Sequence, residues 1–230
     1  MPNWLKDRIK NVSTDTAIFG FENNCIKVLL YKRAQNPLKG SWALPGGFLI
    51  KGELIEQAAR RILKDTTGVE DIYLEEVGVF DQLDRFPSWR VFTVGYFALV
   101  NPRRYDLISS GMFTLEAKWF KIDELPKLAW DHKHIIDKAL EKLKVRVLNK
   151  PIGFELLSEK FTLPQLQTLY EVVLGKSFDK RNFRKKIMHM DILTKLNEKD
   201  RKGKKRPADL YRFNKHNYKK LVEKGIIFGI

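Results

Sequence analysis

Asp179 to Ile187 reads DKRNFRKKI, a run in which donors surround two apolar positions. Phe183 and Ile187 fall one helical turn apart, so a helix starting at Lys180 buries them. It then presents Lys180, Arg181, Asn182, Arg184, Lys185 and Lys186 on the other side. Arg reads guanine and Asn reads adenine bidentately in a major groove. Lysines suit phosphates, which set affinity and register without sequence preference. Downstream, Asp200–Pro207 reads DRKGKKRP, a basic tip whose Lys204, Lys205 and Arg206 are expected to follow a nucleic-acid backbone or enter a minor groove. Upstream, Thr162 and Gln165 open another helix and are expected to add phosphate contacts at its N-terminus. A second kind of chemistry lies in DQLDRFPSWR, residues 81–90, beside a turn marked by Pro87. Asp84, Arg85 and Arg90 there combine a carboxylate with guanidinium groups, suited to sugar hydroxyls or a phosphate in a cleft. Trp42 can stack on a sugar or base, or pack in a core.

The elements that must position these groups fall into two grammars. Up to about residue 148 the pattern is β-rich. Residues 14–33 read as a hairpin around Glu22-Asn23-Asn24, and Trp42–Phe48 is a strand ending in a glycine pair. Leu54–Thr67 has helical spacing and stops at Gly68. Ile72–Phe80 and Arg90–Val100 are strands, Trp119-Phe120 is a short one, and Asp131 caps a helix to about Leu148. After Pro151 the pattern becomes helix, turn, helix, hairpin. Thr162-Leu163-Pro164-Gln165 is a capping box with Pro in the first turn. Gly175 ends that helix, Asp179 caps the next, and Ile192–Leu196 with Ala208–Phe213 flank the basic tip across a loop at Asn197–Pro207. The expected architecture is an α/β (α+β) sandwich over 1–148, a linker at 149–152 and a winged helix-turn-helix over 153–230. A hinge is expected at Leu148–Gly153.

Charge follows the same division. The chain of 230 residues has a net charge of +15; residues 1–150 hold 24 basic and 19 acidic side chains, residues 151–230 hold 19 and 9. Lys180–Lys220 alone has 16 basic and 4 acidic residues, which points to a polyanionic partner. Composition with 43% hydrophobic residues excludes wholesale disorder. No apolar run approaches the roughly 18 residues of a membrane helix, and the N-terminus lacks the apolar region of a secretion signal. The single cysteine, Cys25, permits no intrachain disulfide or multi-cysteine metal site and is expected as a buried small hydrophobe. A cytoplasmic location is the expectation.

Gly47 to Val69, GFLIKGELIEQAARRILKDTTGV, resembles the Nudix box, with Gly47, Glu53, Arg61, Leu63, Gly68 and Val69 in their slots. WALPGGF before it and WFKIDELP at Trp119–Pro126 extend the resemblance over about residues 12–145. The resemblance implies a Nudix fold, in which three carboxylates on one helix face hold Mg²⁺ for diphosphate hydrolysis. Here those slots hold Ile62, Asp65 and Thr66. One Asp cannot hold such a cluster, so no catalytic residue, metal or cofactor is expected, and Glu53 and Arg61 are left to brace the loop against the helix. The alternative is an active hydrolase of a nucleoside diphosphate derivative such as ADP-ribose, with Mg²⁺ rescued by Glu56, Glu75 or Glu76.

The combination resembles the Nudix-related transcriptional regulators. PIGFELL, FTLPQLQTLYE, FDKRNFRKKI and KRPADLYRF carry that likeness, closest to the L-arabinose-responsive branch. It implies a homodimeric bacterial repressor, with DNA operator and small-molecule effector as partners. The effector would be a sugar such as L-arabinose, or ADP-ribose.

Overall fold

The structure is a computed structural model that describes residues 7–69, 72–86, 88–105, 114–201, 207–225 and 228–230. Pro87 and the wing-tip residues Lys204, Lys205 and Arg206 lie outside the described residues. The chain divides into two compact units, Met1–Glu22 with Ile26–Lys142, and Asn23–Cys25 with Leu143–Ile230. Residue 149 ends a helix, and the segment expected to be a linker starts a 3-10 helix at Pro151–Leu156 in which Pro151, Ile152, Gly153, Phe154 and Leu156 are buried. Among the described residues, no helix is long and apolar enough to cross a membrane.

The first unit is built on strands β1 (Arg8–Glu22), β2 (Cys25–Arg33), β3 (Trp42–Ala43), β4 (Gly46–Ile50), β5 (Tyr73–Phe80), β6 (Phe92–Val100) and β7 (Thr114–Lys121). The sheet runs β3-β2-β1-β6-β5, with β4 added to β1 and β7 to β2. Asn23 and Asn24, both at positive φ, make the two-residue turn of the β1–β2 hairpin. Cys25, expected as buried, is half-buried because it follows that exposed turn directly.

Strand β6 is parallel to β1 and antiparallel to β5, and all but its first residue are buried. A near-continuous apolar strand needs cover on both faces. Helix α1 (Ile55–Thr67) covers one: Ala59 packs with Val94 and Tyr96, and Leu63 joins Ile18, Ala98 and Val100. Helix α2 (His132–Asn149) covers the other, where a Cβ at Gly95 would come 3.5 Å from Ile135 and 2.4 Å from Phe80. Successive residues of a strand point to opposite faces, so two helices sandwich one strand. Gly68, at φ 74, stops α1 through a left-handed cap.

The second unit holds α3 (Leu163–Leu174), α4 (Lys180–His189), a hairpin of β8 (Leu193–Asp200) and β9 (Ala208–Phe213), and α5 (Lys215–Glu223). Gly175 ends α3 at φ 66, and Asp179 caps α4 by accepting from the Asn182 amide. The α3–α4 turn is tied by Glu171, whose Oε1 accepts from the Phe178 amide and the Gln167 side chain, both at 2.9 Å. Phe161 adds a third strand-like pairing to the hairpin by exchanging two backbone hydrogen bonds with Tyr211. Phe154 stacks on Phe213 at 4.5 Å, so the 3-10 turn after α2 belongs to this core. Two elements differ from the sequence-based expectation. Strand β8 continues to Asp200, because alternating polar side chains still pair across the hairpin. Helix α5 was not expected; its N-cap Asn214 accepts from Asn217, while the Asn217 side chain donates to Asp191, itself at φ 52.

Tyr170 fills the centre of this unit, with its hydroxyl buried and unpartnered among the described residues. A buried hydroxyl without a partner carries its desolvation cost uncompensated. Tyr170→Phe is therefore expected to raise stability, by about 1 kcal/mol, read as a shift in the midpoint of urea unfolding at constant slope.

Candidate functional site

A cavity of about 270 Å³ opens in the first unit. Its floor is a buried polar network. Asp15 on β1, Arg85 from the β5–β6 connection and Asp131 at the start of α2 converge there. Arg85 donates Nε and Nη2 to the two oxygens of Asp131 at 3.0 and 2.8 Å, and Nη2 lies 3.5 Å from Asp15. Nη1 of Arg85 donates to Thr93, whose hydroxyl also meets Ser13 at 2.5 Å. Burial works against the charge of Arg85, but Asp131 and Asp15 offset it, and its pKa rises. Asp131 stands in the expected cap position of α2: its carbonyl accepts from His134 and Ile135, while its carboxylate is turned to Arg85.

His132 completes the floor. Its Nδ1 accepts from the Leu44 amide at 2.9 Å, so the neutral ring carries its proton on Nε2, 3.7 Å from Asp15. Burial lowers its pKa below the ordinary 6.5, against the pull of Asp15 and Asp131. Aromatic rings make one wall. Phe86 packs on Trp89 at 4.7 Å and on Trp130 at 5.8 Å, and Phe48 meets Phe86 at 6.2 Å. Trp89 remains 43% exposed at the rim. Cations interleave with these rings: Arg8, Arg33 and Arg61 all line the cavity, with Arg8 6.0 Å over the Phe48 ring. The Arg33 guanidinium lies 4.5 Å over the Trp130 ring and donates to Tyr31. Burial, and then the nearby Arg61 charge, lower the pKa of Arg8.

The box residues sit beside these cations. Glu53 accepts from Arg61 at 2.9 and 2.7 Å and from the Ile50 amide at 2.6 Å, and Arg61 also donates to the Phe48 carbonyl. That closes the loop onto α1. Of the three metal slots, Ile62 is a buried aliphatic, and Thr66 is buried with its hydroxyl donating to the Ile62 carbonyl. Asp65 is half-exposed, 4.0 Å from Arg61. Glu56 pairs with Arg60, and neither Glu56, Glu75 nor Glu76 lines the cavity. This donor set does not fit a pair of hard divalent cations.

The residues expected to bind a small ligand are dispersed. Arg85 lines the cavity floor. Asp84, next to it, is exposed and outside the lining. Arg90 also lies outside, over the Phe92 ring and 4.0 Å from Asp81. Trp42 is packed edge-on against Phe120 at 4.8 Å, away from the cavity. Sequence reading missed Asp15, Asp131, His132, Arg8, Arg33 and the Phe86–Trp89–Trp130 wall. Phe86 and Trp89 lie within the 81–90 segment and Trp130 lies 40 residues beyond it, so nothing local tells that Trp130 joins them at Phe86.

In the second unit the residues expected on the DNA face can be located for α4 and the start of α3, while Lys204, Lys205 and Arg206 lie outside the described residues. Phe183 and Ile187 are buried, Phe183 against Tyr170 and Phe178, and Lys180, Arg181, Asn182, Arg184, Lys185 and Lys186 are exposed along α4. Thr162 is fully buried. Its hydroxyl oxygen accepts from the Gln165 amide at 3.3 Å while its own amide donates to Gln165 Oε1 at 2.7 Å, so it serves as a cap and turns no polar atom outward. Gln165 itself is exposed.

The Glu53–Arg61 tie has a pH signature. Arg61 holds the Glu53 carboxyl below its ordinary 4.5, against burial and with help from the Ile50 amide. A depressed folded pKa means stability that is complete above the unfolded value and lost as pH falls through the folded one. Glu53→Gln is expected to cost about 1–3 kcal/mol at neutral pH. The gap from wild type should stay flat above about pH 5 and close as pH falls from there. Urea unfolding between acid and neutral pH checks both.

Comparison with known proteins agrees with this division. The NUDIX domain model matches residues 11–139, and the NrtR DNA-binding winged helix domain model matches residues 153–213. The ADPR responsive transcriptional repressor NtrR of Acinetobacter baylyi is 32% identical over 90% of this chain and 83% of its own. The crystal structure of Shewanella oneidensis NrtR complexed with a 27mer DNA superposes with a TM-score of 0.79 at 31% identity, covering 90% of this chain and 95% of that one. The NUDIX domain of the same Shewanella protein, cocrystallised with ADP ribose, aligns with a TM-score of 0.51 at 30% identity, over 58% of this chain and 88% of that one. The chain belongs to the NrtR family, in which a Nudix domain is joined to an NrtR winged helix domain.

Proposed function

We propose that this chain is a DNA-binding transcriptional repressor whose Nudix unit senses ADP-ribose without hydrolysing it, and that it works as a homodimer. The observation that carries the effector reading is the face-off of Arg8 and Arg61 in one cavity. Burial first, and then the Arg61 charge, lower the pKa of Arg8, and an anionic ligand in this cavity favours the charged form of both guanidiniums. A diphosphate supplies the anion, and the Phe86–Trp89–Trp130 wall suits a base or ribose. L-arabinose is neutral and has no use for this charge, so the cavity favours ADP-ribose. The similar proteins described as ADPR responsive, or cocrystallised with ADP ribose, support the same choice. Ile62 and Thr66 in the metal slots favour sensing over hydrolysis.

Helix α4 supplies the DNA face. On this reading Arg181, Asn182 and Arg184, exposed on α4, read base edges while Lys180 and Lys185 meet phosphates, and the solved DNA complex of the Shewanella relative supports DNA as the partner. Gln165, at the exposed start of α3, remains a phosphate contact in this proposal. The effector shifts DNA affinity only by its differential affinity for the DNA-bound and free states.

The test is fluorescence anisotropy on duplex DNA from upstream of the chain's own gene, against random duplex, with ADP-ribose or L-arabinose added. Upstream DNA is expected to bind more tightly, ADP-ribose to weaken that binding and L-arabinose to leave it unchanged. Arg181→Ala with Arg184→Ala should cost about 1–3 kcal/mol per lost base contact on the upstream duplex only. Equal binding to both duplexes, or turnover of ADP-ribose with Mg²⁺ above about 1 s⁻¹, sinks the proposal. A second expectation concerns the cavity: Arg8→Ala should weaken ADP-ribose about tenfold, as for loss of one charged hydrogen bond. Calorimetric titration reads this, and DNA binding without effector should be unaltered.

A further inference from the structure

The second unit disposes of most of its acids in ways that do not oppose DNA. Glu171 ties the α3–α4 turn, Asp179 caps α4 and Asp191 anchors Asn217. Glu159 pairs with Arg212, and Glu198 with Lys160. Asp209 is different. A groove of about 530 Å³ runs between the start of α3, the side of α4 and the β8–β9 hairpin. Its lining includes Pro164, Gln167, Lys180, Arg184 and Lys199, and Asp209 is the one acid among its described residues. A nucleic-acid backbone passing between α4 and the wing meets this groove, so a carboxylate there works against binding.

Geometry shows what the carboxylate does instead. Asp209 pairs with Lys199 across the hairpin and reaches diagonally to Lys195, with Oδ2 2.8 Å from Nζ. Its pKa is lowered by Lys195 first, and the charges of Lys199 and Arg184 add to this in spite of desolvation. Lys195 is correspondingly raised by Asp209, with Arg184 opposing. Lys195 thus contacts the carboxylate directly and Lys199 stands opposite it on the partner strand, so Asp209 engages a cation that a backbone phosphate could otherwise take.

We infer that Asp209 is an internal stand-in for a backbone phosphate: it holds Lys195 in an ion pair, opposite Lys199, in the free protein and so holds down the chain's affinity for non-operator DNA. Binding to random sequence is almost wholly electrostatic, and its salt slope tracks the number of phosphates that protein cations neutralise, each releasing counterions condensed on the DNA. Lys195, already neutralised by Asp209, contributes little to that number. A regulator with this much basic charge must still leave the large excess of competing sites, and a built-in competitor assists that. This inference rests on the DNA-binding reading and names a residue that sets its specificity.

The experiment measures random-sequence duplex and the upstream duplex by anisotropy over a salt series, with the full chain. Asp209→Asn is expected to tighten random duplex about three- to tenfold and to steepen the log–log salt slope by about 0.9, one further cation. Lys195→Gln combined with Asp209→Asn should return the slope to the wild-type value, because the added cation is Lys195. Glu198→Gln changes net charge equally outside the groove and should do neither. A slope unchanged in Asp209→Asn, or an equal change in Glu198→Gln, overturns the inference while leaving the regulator reading intact. Weakened binding confined to the upstream duplex also overturns it, since Asp209 would then be reading a base. If the wild-type chain holds neither duplex at low salt, the regulator reading itself fails and takes this one with it. Should Asp209→Asn unfold, Asp209→Ser makes the same charge change and is judged by the same slope.

Discussion

The ion pair of Arg85 with Asp131, shared with Asp15, is the constraint on which the first unit's site depends. Its partners lie 46 and 70 residues from Arg85 in sequence, so the pair pins the start of α2, the β5–β6 connection and β1 at one point. Burying three charges costs several kcal/mol each before their attraction is counted, and such a cluster is sustained only when nearly every donor is used. Here Asp131 takes two donors, Thr93 a third, and the neutral His132 turns its Nε2–H towards Asp15. Removing the guanidinium alone would leave two carboxylates buried, a loss of about 3–5 kcal/mol. The network contributes geometry more than net stability: Phe86 follows Arg85 and Trp130 precedes Asp131, so the aromatic wall is set by the same pin.

Above that floor, the helix of the Nudix box does different work from the one its pattern suggests. Glu53 and Arg61 hold the loop to α1 with bidentate geometry, a role independent of metal. Ile62 instead faces inward, and a Cβ at Gly47 would stand 3.3 Å from its Cδ1, so the position where a carboxylate would project is filled by an apolar contact with the strand. The space beside it then belongs to arginines. A site with three arginines in its lining and an aliphatic residue and a threonine in two of the three metal slots is the ground on which the proposal favours holding a diphosphate over activating water against one.

What the sequence made legible was local chemistry. Asp179 as a cap, Gly68 and Gly175 as left-handed stops and the Thr162–Gln165 box are each settled within four residues, and each is in place. The buried stripe of α4 follows from helical period alone. The cavity follows from nothing local. Arg85 is expected as a ligand contact and does line the cavity, but its hydrogen-bonding partners come from distant elements that the local sequence does not show. Trp42 was flagged beside it and packs on Phe120, since β3 is the end strand of the path and turns that ring onto β7's residues. Helix α5 escaped notice because only Leu221 in it is buried, too little for a stripe to show; the Asn214 cap was the available signal.

The two candidate sites draw anions by the same excess of positive charge, yet they differ in how water treats that charge. The donors of α4 are exposed, so their field is cut off within a Debye length of about 8 Å at physiological salt. Their contribution to DNA affinity is therefore a matter of counterion release. Arg8 and Arg61 are half-buried, where screening is weaker and each charge is felt more strongly. The same cavity is lined by Phe86, Trp89 and Trp130, an aromatic surface that α4 does not offer. On the proposed function, discrimination between effector and operator would therefore rest on burial and shape, which the Arg85 pin provides, and not on charge, which both sites share.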